Sequence, residues 1–488
     1  MLYSTKSKGC ARNTMIEHYG TFDVSNYGDL LFPLILRERL SLNDFSFQTN
    51  KDSGESAVQF ISPLGGPAPI PGGVSSRPPP QLSASPAVPS LSGLIIGGGH
   101  LIHASPSTVE AYRSPPELAL QAYPRLWLGS SERALQHGAP LIWNAPGVPA
   151  ALPENSARLL AWSLSFCDYV SVRDARSLRL IREAGFDGAA TVVPDTAHDL
   201  PKVFSARTLE DAYASALESR NAHRPEKTIA IHVNERHLGE ELGFVAQRID
   251  RICRQADAVP VLLAIGACHG DDLLTAELGR LMKSNPLVVD HPESLAALAS
   301  SISHASAYIG SSLHGAITAC AFGTPAMIVA REGEDGGKFS EYFGAHGLGH
   351  WLMSDWAEAE ARSAEFQAAD PEPWRAVLPK VGPQLDRHWA LIKATLEAPP
   401  SYPKQRETAQ MRLDQIRRDV IAPLGAYAAL LPDQARSAVQ QQKTISTLKS
   451  HAKILKASYR EKNRKLRRRL AQYEDADRPP ETKDPSDT

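Results

Sequence analysis

The sequence predicts an α/β protein made of two successive domains, each with a largely parallel sheet, facing one another across a cleft and followed by a basic helical tail. Three observations carry this. Short apolar runs alternate with amphipathic segments and turns over residues 13–205, the same alternation resumes over residues 225–395, and the texture then turns into long polar helix. The 488 residues exceed the roughly 100 to 200 of a single domain, so two domains and an appendage fit the length.

In the first domain "GLIIGGGHLI", "PLIWNAPG", "DYVSVRD" and "TVVPD" read as strands that end in loops. A segment at 61–90, dense in Pro, Gly and Ser, can continue neither helix nor strand; it reads as a surface insertion, the alternative being a lid. In the second domain "KTIAIHVN", "VPVLLAIG", "PLVVD", "AYIG" and "PAMIVA" read as strands, each followed by a helical segment such as "PESLAALASSISHA". Ligands of open α/β sheets bind beyond the carboxyl ends of the strands, so the loops after these strands are expected to line the cleft.

Over 405–475 the chain reads as a weakly coiled-coil basic tail. Ile445, Ala452, Tyr459, Leu466 and Tyr473 form one heptad series and Leu448, Leu455, Lys462 and Arg469 the other, with polar intruders. Lys449–Arg469 is strongly basic, with Glu461 the one acidic residue. A solvated helix is the plain reading; docking of 441–473 to an anionic membrane surface or a coiled-coil partner is the other. Residues 476–488 read as disordered.

Composition narrows the class. Apolar residues at 42%, charged residues at 22% and a net charge of -2 describe an ordinary globular chain and point away from nucleic acid. Cys10, Cys167, Cys253, Cys268 and Cys320 form no CxxC pair and no framework, as expected of a reducing compartment. With no apolar leader and no run near the ~18 apolar residues of a membrane span, the reading is cytoplasmic, with peripheral attachment at the inner membrane face through the tail as the variant.

The candidate chemistry sits in loops. "YIGSSLHGAITACAFGTP" parses as strand, loop "SSLHG" and helix "AITACAF" closed by Gly323; Ser311 or Ser312 can cap the helix, whose free N–H groups make an anion site, with His314 beside it as a proton carrier. A histidine that merely packs the helix start is the alternative. Arg173 ends a strand, where its guanidinium can grip carboxylate or phosphate, and Asp174 stands at an N-cap. Asn26, Gly28 and Asp29 precede an apolar helix, with Asp29 either capping it or bonding a sugar hydroxyl. Gly97, Gly98 and Gly99, next to His100, form a close-approach loop without the GxGxxG spacing of a dinucleotide site. Asn144, Asp195, His232 and Asn234 lie at or near strand ends facing the same cleft. Cys268, His269, Asp271 and Asp272 crowd one turn and do not make a metal cage.

Taken in order, "SNYGDLLF", "LIIGGGHLI", "APGVP", "VSVRDARSLRLIREAG", "VVPD" and "IGSSLHGAITACAFGTPAMIV" resemble the polysaccharide pyruvyl transferase family over residues 13–345. The resemblance implies two Rossmann-like domains in a GT-B-like arrangement and transfer of the enolpyruvyl unit of phosphoenolpyruvate onto a sugar, commonly as a pyruvate ketal. No cofactor or metal is implied. The acceptor would be a sugar of a bacterial-type polysaccharide or its lipid-linked oligosaccharide precursor. The family's loop commonly reads Arg-Leu-His, the arginine and histidine serving donor binding and catalysis. Leu313 and His314 match it, and Ser312 replaces the arginine, a version that looks like ketal-forming branches acting on exopolysaccharides. Arg173 matches the family's other anion-binding arginine.

On this basis His314, Arg173 and Asp195 are expected to be catalytic. Asn26, Gly28, Asp29, Gly98, Gly99, His100, Asn144, Asn234, Ser311, Ser312, Leu313 and Gly315 are expected to bind substrate. His314 would protonate the methylene carbon of the donor while Arg173, Ser311, Ser312 and the helix start hold its anionic groups. The rival readings are a nucleotide-sugar glycosyltransferase of the same architecture and a non-catalytic scaffold.

Overall fold

The computed structural model describes residues 15–44, 57–80, 91–332 and 337–400. Contacts divide the chain between Asp414 and Gln415, and every described residue belongs to the first part. The tail at 405–475 with its basic segment 441–473, the terminal 476–488, and 81–90 of the Pro-rich segment therefore lie outside the described residues.

The first sheet comprises β1 (Met15–Tyr19), β2 (Asn43–Asp44), β3 (Ala57–Ile61), β4 (Leu91–Gly97), β5 (Leu141–Asn144), β6 (Tyr169–Val172) and β7 (Thr191–Val192), in the order β2-β3-β1-β4-β5-β6-β7. The second comprises β8 (Thr228–His232), β9 (Val259–Leu263), β10 (Leu287–Val289), β11 (Ala307–Gly310), β12 (Ala326–Val329) and β13 (Leu352–Met353), in the order β10-β9-β8-β11-β12-β13. The pairings within both are parallel. This is the two-domain, doubly wound, GT-B-like architecture expected.

Parallel strands covered on both faces read as unbroken apolar runs, which is why "LIIGG", "AIH" and "AMIV" announce themselves. Central strand β1, "MIEHY", hides because Glu17 and His18 interrupt it. Both are buried, and Glu17 is neutralised by two 2.6 Å hydrogen bonds from Arg133.

Strand order places the site. In the first sheet the winding reverses between β1 and β4, and in the second between β8 and β11, so two pairs of diverging loops open crevices at the carboxyl edges. These loops are Gly20–Asn26 with Gly98–His100, and Val233–Asn234 with Ser311–Ser312.

The two sheets share one hydrophobic cluster, which runs from Ile16 and Ile95 through Leu31 and Ile35 to Ile231 and Ile309. The seam is polar where it must be: the Tyr27 N–H donates to Ile265 O at 2.8 Å, the Cys268 N–H to Ser25 O at 3.2 Å, and the Tyr27 and Thr318 hydroxyls are 3.0 Å apart. The long helix Val377–Glu397 packs back on the first domain through His388 Nε2 to Asn144 Oδ1 at 2.8 Å and Trp389 Nε1–H to Asp199 at 2.8 Å.

The described part of the Pro-rich segment is more than a surface insertion. Ile70 and Val74 are buried in the shared cluster, and Pro71 O accepts from the Leu295 N–H at 3.1 Å, at the start of a second-domain helix. Short apolar residues set between turns let a non-helical, non-strand segment act as packing. Among the described residues no helix is long and apolar enough to cross a membrane, and Cys167, Cys253, Cys268 and Cys320 are unpaired.

Candidate active site

The helix carrying the central histidine begins earlier than the loop reading allowed. It spans Leu313–Ala321, with Ser312 at the N-cap accepting from the Gly315 N–H at 3.3 Å. The small residues suggest a loop, but buried Leu313 anchors the first turn and the cap fixes it there. His314 is thus a first-turn residue on a nearly buried helix. The Leu313 and His314 N–H groups have no intrahelical partner and face the cleft end of the helix.

His314 is pressed against the first domain. Its ring meets Phe32 edge-on at 5.5 Å between centroids, and a side chain at Gly28 would overlap the imidazole. Gly28 is required for close approach rather than for φ. Nε2 of His314 lies 3.7 Å from Asp195 Oδ2. That is ion-pairing range but beyond a hydrogen bond, and Nε2 is buried without a hydrogen-bond partner.

Asp195 is shared. Its carboxylate receives the Ala197 N–H at 3.0 Å and Arg173 at 3.5 Å. Burial opposes its charge, yet His314, Arg173 and the Ala197 N–H together hold the carboxyl well below the usual range. It therefore caps a short 3-10 turn at Thr196–Asp199 and braces His314 and Arg173 at once.

Arg173 leaves the end of β6 and also hydrogen-bonds His100 Nε2 and lies 3.5 Å from Asp174. A guanidinium only donates, so this Nε2 is an unprotonated acceptor. Burial, followed by the Arg173 charge, keeps His100 well below its ordinary pKa. Gly147 makes room for the pair: a Cβ there would fall 2.6 Å from the His100 ring and 2.7 Å from Arg173 Nε. Asp174 caps the helix Ala175–Glu183 by accepting the Ser177 N–H at 2.6 Å, as expected.

Across the cleft a second His–Asp pair is closed. His232 Nε2 and Asp271 Oδ2 are 2.8 Å apart, and Asp271 also takes the Gly266 N–H at 2.8 Å and Asn234 Nδ2 at 2.9 Å. Burial would raise the Asp271 carboxyl, but His232 and the other donors outweigh it and hold it low. The crowded "GACHGDD" turn is thus read by its partners, with Asp271 tying the loop after β9 to the end of β8.

These groups surround a cavity of about 370 Å³, lined among others by Asn26, Asp29, Gly99, His100, Arg173 and His314. Asn234, Ser311, Ser312 and Leu313 line it too, and the Ser311 hydroxyl is buried without a partner. A second cavity of about 350 Å³ adjoins it across Arg173, Leu313 and Lys338, walled by Asp195, Tyr342 and Lys380. The expected residues that do not face the main cavity have other tasks. Asn144 is buried, its amide oxygen spent on His388. Gly98, at φ +82°, admits the Phe32 ring, and Gly315 leaves space for the Tyr308 hydroxyl. Asp29 does not cap its helix: the helix is Tyr27–Leu40 with Asn26 at the N-cap, so Asp29 lies within the first turn and lines the cavity.

Lys338 escaped the sequence reading. It opens the helix Lys338–Ala345 and lines both cavities. Burial, then Arg173 and Arg236, push its amine down to about 8. A lysine at a helix N-terminus opposes the macrodipole. That mismatch, "GGKFSEYF", was the available signal that the residue has a task other than supporting its helix.

The two Rossmann-like domains thus enclose a polar cavity whose wall carries the cations Arg173 and Lys338. The family profile described as polysaccharide pyruvyl transferase matches residues 26–333, and the chain belongs to that family. No curated protein matches it by sequence. Among solved structures it is similar to UDP-GlcNAc 2-epimerase from Neisseria meningitidis bound to UDP-GlcNAc, at 10% identity over 78% of this chain and 99% of that one, with a TM-score of 0.48. It is also similar to S. aureus MnaA with UDP, at 11% identity over 76% and 92% with a TM-score of 0.42. A third is a variant of the wall teichoic acid polymerase TagF, at 12% identity over 85% and 90% with a TM-score of 0.39.

Proposed function

We propose that the protein transfers the pyruvyl unit of phosphoenolpyruvate to a sugar of a polysaccharide, or of its lipid-linked precursor, and closes it as a ketal. The observation that carries this reading is His314, whose Nε2 is buried, unbonded and 3.7 Å from an ionised Asp195, at the mouth of a helix and beside Arg173. An acid, a cation and free N–H groups converge there, which suits a small donor carrying a carboxylate, a phosphate and a carbon to be protonated.

Arg173, Lys338 and the first-turn N–H groups would hold the carboxylate and phosphate. His314 would place a proton on the methylene carbon, and the neighbouring carbon, now cationic, would take a sugar hydroxyl. Phosphate then leaves with the C–O electron pair and a second hydroxyl closes the ketal. One hydroxyl proton replaces the one His314 gave and the other leaves with phosphate, so donor plus diol becomes ketal plus phosphate. This scheme asks for no cofactor, because no electrons change hands.

The Ser312 replacement fits the same picture: Ser312 is occupied as the cap, and Arg173 and Lys338 supply positive charge from elsewhere on the wall. The test is phosphate release from phosphoenolpyruvate in the presence of sugar acceptors, in wild type and His314→Ala. Loss of release in the variant with donor binding retained supports the reading; an active His314→Ala protein would sink it.

A further inference from the structure

We propose that Asp29 is the proton acceptor for the attacking sugar hydroxyl, working opposite His314 across the cleft; this rests on the pyruvyl-transfer reading. That reaction needs a group to receive a proton from the first hydroxyl as well as one to give a proton to carbon. Asp29, Asp195 and Asp271 stand around the cleft, and their partners distinguish them. Asp195 is committed to Arg173, the Ala197 N–H and the His314 ring. Asp271 is committed to His232, Asn234 and the Gly266 N–H. Asp29 has Thr21 as its hydrogen-bonding neighbour and faces the cavity from the first turn of its helix.

Its position relative to the acid is set by backbone. Gly28, the residue before it, lets the His314 ring press on the same turn, and a Cβ at Gly99 would fall 2.6 Å from Asp29 Oδ1. Acid and base, one from each domain, are therefore each seated against a first-domain glycine, and each stands in the first turn of the helix that follows a loop at a point where strand order reverses. The charges of His314, Arg173 and Lys338 favour the ionised form of Asp29, and its carboxylate in turn disfavours ionisation of Tyr112, Tyr123 and Cys268.

Environment separates Asp29 and Asp195, the two carboxylates whose charge His314 favours. Burial raises the Asp29 carboxyl in spite of the cations around it, whereas Asp195 is held down. Opposite bias on two carboxylates beside one imidazole is the pattern by which acid–base roles divide. In the first addition the C3–H bond forms with the proton from His314 while the hydroxyl oxygen bonds C2 and passes its proton to Asp29. In the second, the C2–O bond to phosphate breaks, phosphate departs with the electron pair and the second hydroxyl proton, and Asp29 returns its proton to His314 through solvent.

The test uses the full chain and Asp29→Asn, which keeps size and the Thr21 partner. Phosphoenolpyruvate is titrated calorimetrically, and phosphate release is followed from pH 5 to 9 with methyl hexopyranosides bearing a free 4,6-diol. Expected for Asp29→Asn are donor affinity within about threefold of wild type and turnover lower by about 10² or more with the acid limb gone. Turnover within threefold with the same acid limb overturns the assignment and leaves pyruvyl transfer standing. Wild type that does not bind phosphoenolpyruvate overturns both. Wild type that binds the donor but releases no phosphate with any of these diols overturns the assignment as well.

Discussion

Two histidines stand at neighbouring strand ends of the same sheet, each beside an aspartate, and they are in opposite states. His232 and Asp271 are 2.8 Å apart, buried, with Asp271 accepting two further hydrogen bonds. His314 and Asp195 are 3.7 Å apart and His314 Nε2 has no hydrogen-bond partner. A buried pair in direct contact holds loops in place, because breaking it leaves a buried charge uncompensated, even though His232 Nδ1 on the far side of the ring has no hydrogen-bond partner. An incomplete one has a group left to offer. The backbone links the two, since the Ser311 N–H donates to His232 O at 3.1 Å: the closed pair is the anchor for the loop that presents the open one.

Removing each histidine separates the roles. His314→Ala is expected to lower phosphate release by about 10³ or more with phosphoenolpyruvate affinity little changed and the denaturation midpoint near wild type, read by steady-state rates and calorimetry. Gly28→Ala pushes the ring away without removing it, so a turnover loss of about 10² is expected, again with folding retained; wild-type rates there would show that the close approach is unimportant. His232→Ala should do the reverse, costing about 3 kcal/mol in stability by chemical denaturation.

Acid adds a check on both pairs. Asp195 and Asp271 have folded-state pKa values below their unfolded ones, so their contribution is complete above about pH 4 and is lost as pH falls through the lowered values. Stability of wild type should fall with acid below that point, and His232→Ala should show a shallower fall.

The smallest effect belongs to Lys338. Its amine titrates near 8 because burial and neighbouring cations disfavour its charge. Donor affinity should therefore weaken above pH 8, by at most about tenfold per pH unit, and Lys338→Met should flatten that slope. For folding the sign is opposite, since a lowered amine pKa means stability rises between 8 and the unfolded value as the unfavourable charge is lost.

Much of this architecture was legible in the sequence, for a reason visible in the strands. Parallel strands buried on both faces need continuous apolar runs, so "GLIIGG", "AYIG" and "AMIVA" show themselves. β1 did not, because Glu17 and Arg133 pair only once the fold brings residues 116 apart in sequence into contact. The loops that gather at the cleft were legible as motifs, since a strand followed by small residues has few other uses. What was not legible were the partners. Nothing local reveals that Asn144 is spent on His388, that Asp271 answers His232, or that Asp29 sits inside the first turn of its helix rather than at its cap. The helix start at Leu313 was hidden because Ser, Ser and Gly look like loop until Leu313 is known to be buried. Lys338 lay beyond the motifs and was marked only by its bad fit to a helix N-terminus.

The central claim is that Arg173 and His314 frame a phosphoenolpyruvate site, and the most direct measurement is a calorimetric titration of the full-length protein with phosphoenolpyruvate, beside uridine diphosphate sugars and with Arg173→Ala as the partner variant. The account predicts binding of phosphoenolpyruvate that is lost in Arg173→Ala and no comparable binding of the nucleotide sugar. Binding of the nucleotide sugar with silence toward phosphoenolpyruvate would contradict it and return the cleft to a glycosyltransferase, and silence toward both would point to a scaffold.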